Sequence, residues 1–236
     1  MKTIGLIGGL SWESTSEYYR YINEMVKQQK GGLHSAKIVM YSFDFEEMVD
    51  LQHSGKWDVA TDRMVEAGST LQHAGADIIV ICTNTMHICA DEMREVLNIP
   101  LLHIVDTVAE KIEEQEITKV GLLGTKFTME QPFYKELLKM RGIEVVIPNE
   151  DDRQIVHDVI YNELCKGEVK DCSRKKYVEI IEKLKKEGAG GIILGCTEIP
   201  LLLEQKDTDV PLFDTSYIHA VAAAEFSLEE DKLVTI

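Results

Sequence analysis

At 236 residues, with 44% hydrophobic and 28% charged residues, the chain has the composition of an ordinary globular protein large enough to bury a sizeable core. Its 25 Lys and Arg against 41 Asp and Glu give a net charge of −16, which argues against a nucleic-acid backbone as partner but leaves an anionic small molecule open. The five cysteines, Cys82, Cys89, Cys165, Cys172 and Cys196, are odd in number and contain no C-x-x-C spacing, so neither a disulfide framework nor a zinc site is expected, and a reducing cytoplasm is.

Apolar strand-like runs alternate with amphipathic helical runs along the chain, the pattern of parallel sheets wrapped by helices. Thr3–Ile7 reads as a first buried strand rather than a signal peptide, because acidic residues follow at once without a small-residue cleavage site. A helix follows through Tyr18, Ile22 and Met25 and stops near Gly31-Gly32. Lys37–Ser42 is a second strand, residues 43–55 a loop or short helix, and Trp57–Ala74 a long helix. Asp77–Cys82 is a third strand, residues 86–97 are helical, and Pro100–Val105 is a fourth strand closed by Asp106-Thr107. No apolar run approaches the ~20 residues of a membrane-spanning helix.

The plan then starts again. Lys119–Tyr134 repeats the first strand and helix start, with Gly5 matched to Gly121, Gly8 to Gly124 and Tyr18 to Tyr134. The run GADIIVICTNT from Gly75 is matched by GAGGIILGCTEI from Gly188, so Thr83 falls opposite Cys196. Residues 144–147, 191–195 and 210–213 read as the remaining strands, with helices over 154–165, 174–187 and 217–226. The expected fold is therefore α/β with two similar domains, each a four-stranded parallel sheet flanked by helices, related by a pseudo-twofold axis with the active site in the cleft between them. Residues 1–106 with 214–236 would form one domain and residues 107–213 the other.

Ligands of open α/β sheets bind beyond the carboxyl ends of the strands, where Thr83 and Cys196 stand. A hydroxyl and a thiol on opposite faces of one carbon suit removal of a proton from one face and its replacement from the other, with no cofactor and no metal. Each group starts a helix, whose dipole should favour a carboxylate or a thiolate nearby. Asn84, Thr85 and Thr197 offer donors for a substrate α-carboxylate, although helix capping explains the same residues. Glu198 could receive a substrate ammonium or face solvent. The loop Gly8-Gly9-Leu10-Ser11 and its counterpart around Thr128 should border the site. Lys166 could contact a carboxylate, with a solvated helix-end lysine as the alternative. His87 stands four residues after Thr83, one helical turn away; His53, His73 and His103 have no ligand-like spacing. Cys82 should point away from the site by strand alternation, and Cys89, Cys165 and Cys172 read as buried inert thiols.

The motifs IGLIGGLSWEST, ICTNTMH, GTKFTMEQPFY and GCTEIPLL together resemble the aspartate/glutamate racemase family along almost the whole chain, most closely its broad-specificity amino-acid branch. The resemblance implies pyridoxal-independent racemisation by two general acid/base groups, one from each domain, and carries Cys196 over as one of them. The other family cysteine falls on Thr83, whose hydroxyl is far less acidic than a thiol of pKa ~8.5. It implies further that Leu10, Gln52 and Thr128 touch substrate, that the partner is a small-molecule amino acid rather than nucleic acid or membrane, and that the protein is a homodimer. Where relatives acting on acidic amino acids carry Arg, Gln52 favours uncharged polar substrates. A maleate isomerase or hydantoin racemase, and a non-catalytic amino-acid-binding protein, are the rival readings.

Overall fold

The structure, a computed structural model, describes residues 1–229. It divides into two compact units, one of Met1–His103 with the end of the last helix from His219, the other of Ile104–Ile218.

In the first unit the order is β1 (Thr3–Gly8), α1 (Trp12–Lys30), β2 (Lys37–Ser42), α2 (Phe45–His53), α3 (Trp57–His73), β3 (Ile78–Ile81), a 3-10 turn (Thr85–Cys89), α4 (Ala90–Val96) and β4 (Leu101–Leu102). The strands form a parallel sheet in the order β2-β1-β3-β4. The second unit opens with α5 (Ile104–Glu113) and continues β5 (Lys119–Gly124), α6 (Lys126–Glu130), α7 (Pro132–Met140), β6 (Glu144–Val146), α8 (Glu150–Asn162) and α9 (Asp171–Lys186). It ends with β7 (Ile192–Gly195), α10 (Ile199–Leu202), β8 (Leu212–Asp214) and the start of α11 (Thr215–Leu228), whose remainder from His219 belongs to the first unit, with short 3-10 turns at Leu164–Lys166 and Gln205–Asp207. Its sheet order is β6-β5-β7-β8, again parallel throughout.

The internal repeat is visible in the strand register. Gly5 pairs with Ile79 and Gly121 with Ile192, the residues that the two sequence matches align. The glycines leave room for their neighbours: a Cβ on Gly5 would lie 2.9 Å from Ala76 Cβ and 3.1 Å from Ile79 Cδ1, and one on Gly121 2.7 Å from Ile192 Cδ1. The central strands β3 and β7 are buried along their whole length, as all-parallel sheets covered on both faces require.

Helix α1 forms because Tyr18, Ile22 and Val26 recur at helical spacing and all are buried, each worth ~1.5–3 kcal/mol of transfer from water. Ser11 caps its start and Gly31 its end. In the same core Ala220, Ala223 and Ala224 of α11 pack with Ile22 and Val26, and the small alanines let that helix approach closely. The second unit buries Tyr177, Ile180, Ile181 and Leu184 of α9 in the same manner.

Two expectations are corrected. The fourth strand is only Leu101–Leu102, and Ile104 and Val105 already belong to α5. The apolar run continues past the strand, but Ile104, Val105, Val108, Ala109 and Ile112 follow a helical period and are all fully buried, so tertiary packing overrides the strand preference of β-branched residues. Asp106 and Thr107 therefore lie inside a helix, not in a strand-ending loop or linker. Among the described residues no helix is long and apolar enough to cross a membrane.

Candidate active site

In the first unit, the chain leaves β3 through Cys82, whose N–H still bonds Ile7 of β1 at 2.9 Å. Cys82 is fully buried in the core beside α1 and α11, and that burial alone drives its thiol far above the ordinary range, leaving it inert. Thr83 comes next and is half-buried. Among the described residues its hydroxyl makes no hydrogen bond, whereas both carbonyls that flank its α-carbon are held. Ser14 Oγ donates to the Cys82 carbonyl at 2.8 Å, and His87 Nδ1 stands 2.8 Å from the Thr83 carbonyl. A carbonyl only accepts, so the proton of His87 is on Nδ1.

Behind this turn lies a cluster of imidazoles. His87 meets His103 edge to face with ring centroids 4.7 Å apart, and His219 at 5.4 Å. His219 Nε2 donates to the Leu102 carbonyl at 3.0 Å, so its Nδ1 accepts from the Tyr18 hydroxyl at 2.9 Å. Burial, followed by the neighbouring His103, holds His87 well below the usual histidine range. Burial, with Arg94 and His219 nearby, pushes His103 down to about 3, and burial beside His87 lowers His219 as well. All three rings are neutral at physiological pH. His103, which has no ligand-like spacing, takes a core role, and His87 takes a structural role one turn from Thr83.

The remaining first-unit candidates surround this turn from several elements. Asn84 is buried, and Thr85 opens the 3-10 turn. Gln52 of α2 is buried too, its Nε2 3.2 Å from Met86 Sδ, three residues beyond Thr83. Leu10 is buried in the core cluster that also holds Ile81 and Met86. Before it, Gly9 has φ +71°, and a Cβ there would lie 2.2 Å from the Phe43 carbonyl oxygen, so only glycine permits this approach to the β2 end. Ser11 has φ +112°, rare for a residue with a side chain; its hydroxyl donates to Glu13 at 3.0 Å and accepts the Ser14 N–H at 3.3 Å. That is a capping role, and it sets the first turn of α1 from which Ser14 reaches Cys82.

In the second unit, β7 ends at Gly195, and Cys196, Thr197 and Glu198 follow. Cys196 is half-buried; its Sγ donates to Glu198 Oε2 at 2.9 Å, and the Thr197 hydroxyl donates to the same oxygen at 2.7 Å. Glu198 is 6% exposed, which overturns the solvent-facing reading. It accepts two hydrogen bonds at the strand end, and no periodicity in the sequence signals that. The expectation that a helix dipole would favour a thiolate is corrected as well. Helix α10 has four residues, too few for a strong dipole, and burial followed by the adjacent Glu198 carboxylate raises the Cys196 thiol well above its ordinary range. Cys196 rests as a thiol with its proton directed at a carboxylate.

Tyr161 and Tyr177 line the same region: burial and then the nearby Cys196 push Tyr161 up to about 12 and hold Tyr177 well above its ordinary range, and the Tyr177 hydroxyl donates to the Val156 carbonyl at 2.9 Å. Neither tyrosine was legible as a neighbour of Cys196 in the sequence. Thr128 sits directly under the strand end, since a Cβ on Gly195 would lie 3.1 Å from its Cγ2; its hydroxyl is 3.3 Å from that of Thr125. Lys166 is exposed in the turn after α8, in keeping with a solvated helix-end lysine. Cys89 is buried, and that burial raises its thiol to about 11, as an inert cysteine requires. Cys165 is half-buried and Cys172 is exposed, against the expectation of buried thiols, because the turn after α8 and the first turn of α9 lie at the surface. Among the described residues no group of three or more His, Cys, Asp or Glu could hold a metal ion.

Each unit thus offers one group at one strand end: a threonine set by its backbone, and a cysteine tethered by its side chain. A family description of Asp/Glu/hydantoin racemases matches residues 7–223. The chain is 24% identical over 223 residues to the broad specificity amino-acid racemase RacX of Bacillus subtilis, covering 90% of this chain and 92% of that one. It is similar to the crystal structure of a candidate Asp/Glu racemase from Yersinia pestis, with 53% identity, a TM-score of 0.92 and coverage of 97% and 100% of the two chains. An aspartate racemase homologue from Pyrococcus horikoshii OT3 superposes with a TM-score of 0.86 at 36% identity, over 97% and 100% of the chains. The chain belongs to the Asp/Glu/hydantoin racemase family.

Proposed function

We propose that the protein interconverts the L and D forms of an amino acid by proton transfer at the α-carbon, with Cys196 serving one face and Thr83 the other, without pyridoxal. The observation that carries this reading is the Cys196 thiol hydrogen-bonded to the buried Glu198 carboxylate at 2.9 Å, just past the end of a central strand. The residue at the matching place in the repeat, Thr83, also bears a proton on a heteroatom.

Glu198 takes the thiol proton along the existing hydrogen bond, and the thiolate so formed removes the α-proton of the enantiomer that faces it. The carbanion is protonated from the opposite face by the Thr83 hydroxyl, which takes a proton from water in the same step, and the hydroxide so formed is neutralised by the proton left on Glu198. The reverse reaction runs the same transfers backwards: hydroxide takes the Thr83 hydroxyl proton as Thr83 removes the α-proton, the Cys196 thiol supplies the new one, and Glu198 returns its proton to the sulfur. Thr83 is the weaker partner, because a hydroxyl is far from the acidity that suits proton transfer near neutral pH.

Asn84 and Thr85 hold the substrate α-carboxylate. Thr197 is the lesser candidate for that task, since its hydroxyl is given to Glu198. Gln52, a neutral amide near Met86 in place of a cation, supports uncharged polar substrates over aspartate. The similarity to the broad specificity amino-acid racemase of Bacillus subtilis supports the same range. A homodimer in the cytoplasm completes the reading.

The test is a panel of L-amino acids incubated with the protein in D2O, with α-deuterium read by NMR. Deuteration of homoserine or another neutral polar amino acid ahead of aspartate supports both the activity and the range. No deuteration of any amino acid leaves a binding protein or an isomerase of other substrates.

A further inference from the structure

We infer that Ser14 and His87 are positioning residues for Thr83: each fixes one of the two peptide planes between which the Thr83 α-carbon is suspended. This rests on the proposed role of Thr83 in proton transfer.

A peptide unit is planar, so fixing its carbonyl oxygen fixes the whole plane. The plane before Thr83 ends in the Cys82 carbonyl, which accepts from Ser14 Oγ at 2.8 Å. The plane after it begins with the Thr83 carbonyl, which accepts from His87 Nδ1–H at 2.8 Å. With both planes held, φ and ψ of Thr83 are set and so is the direction of its Cα–Cβ bond. Only χ1 remains to aim the hydroxyl.

Both holding groups are themselves immobilised. Ser14 is 3% exposed, and its N–H is held by Ser11 Oγ at the strained start of α1. His87 is 2% exposed, its backbone N–H donates to the Asn84 carbonyl at 3.1 Å, and its ring is backed by His103 and His219. Cys196 needs no such device, because its sulfur is aimed by a direct hydrogen bond to Glu198. A threonine hydroxyl with no hydrogen-bond partner of its own among the described residues depends on its backbone for direction.

The experiment separates racemisation from exchange. A protein with an intact Cys196 and a misaimed Thr83 still removes and returns the α-proton on the Cys196 face. It therefore washes deuterium into one enantiomer without converting it to the other. Ser14→Ala and His87→Leu should each lower racemisation by about 10- to 100-fold, the scale of misplacing a reacting group by ~1 Å, while wash-in to that one enantiomer stays within about twofold of wild type. His87→Asn, whose side-chain amide nitrogen takes the place of Nδ1, should restore most of the racemisation. Circular dichroism and thermal unfolding of each variant accompany the rates. If His87→Leu does not fold, Ser14→Ala and His87→Asn decide the matter. Variants in which racemisation and wash-in keep their wild-type ratio, unchanged or falling together, overturn the positioning role. A wild type that deuterates no amino acid overturns the racemase reading beneath it and this inference with it.

Discussion

The ends of β3 and β7 occupy matching places in the repeat yet are built by opposite means. At the β7 end the sulfur proposed to react is itself held, since Cys196 Sγ is hydrogen-bonded to a buried carboxylate. At the β3 end the backbone is held and the Thr83 side chain is left to it, through Ser14 and His87. The surroundings differ accordingly. Behind Cys196 stand Glu198 and two tyrosines, whereas behind Thr83 stand three neutral histidines. The matched tyrosines share the contrast: Tyr18 donates to His219, and the equally buried Tyr134 hydroxyl has no hydrogen-bond partner among the described residues. A duplicated fold thus keeps its strands and register while each copy solves the placing of its functional group separately.

The comparison is broken most severely at the cysteine. Cys196→Ser removes the only thiol proposed to move a proton at either strand end, and racemisation should fall by about 10²- to 10⁴-fold, the usual worth of a general acid/base. The fold should survive, because the change in size is small; circular dichroism and a racemisation assay by chiral chromatography check both. Next comes the carboxylate. Glu198→Gln keeps a hydrogen-bond acceptor for the thiol but not a proton acceptor, so turnover at neutral pH should drop about 10- to 100-fold, as expected for a charge-assisted bond of ~1.5–3 kcal/mol. Because the Glu198 charge helps to keep the thiol protonated, alkylation of Cys196 by iodoacetamide should begin at lower pH in this variant. Burial, the larger cause, persists, so the onset should still lie above that of a free thiol. Unchanged alkylation would mean that the carboxylate does not govern the sulfur.

The histidines give the first unit a pH response that the second lacks in this form. Their folded pKa values lie below the ordinary 6.5, with His103 at about 3, so between those values the unfolded chain binds protons that the folded chain does not. Stability is therefore full above pH 6.5 and is lost as the pH falls towards 3. The slope is up to ~1.4 kcal/mol per pH unit for each independent ring, and less for a coupled cluster. Urea unfolding followed across that range checks the sign, and His103→Gln should flatten the slope. The smallest effect is expected from making the two ends alike. Thr83→Cys supplies a second thiol at a site already aimed by Ser14 and His87, and turnover should rise by about 2- to 10-fold. Equal rates on every substrate would take Thr83 out of the proton path.

Much of this was legible in the sequence, and the reason is local. Alternation of buried strands and helices, the Gly5–Gly121 and Thr83–Cys196 matches, and the inward face of Cys82 all follow from short-range periodicity. The fourth strand was overread because Ile104 and Val105 have a strand-like identity but belong to a helix whose period shows only as far as Ile112. The devices that set the site were not legible. Ser14 and Cys82 are 68 positions apart, and no local period signals the burial of Glu198. The position of Glu198 two residues after the cysteine was a signal, but nothing in the sequence decided between a solvated carboxylate and a partner for the thiol.

The proposed function requires the two strand ends to serve opposite faces of one carbon. It is tested most directly by following both enantiomers of one substrate in D2O during the first few per cent of conversion. The account predicts that newly formed D-amino acid carries deuterium at the α-carbon in nearly every molecule, a fraction above that which Cys196 washes into the unconverted L-amino acid. Product that retains the substrate's own protium would mean that a single group serves both faces, and would contradict it.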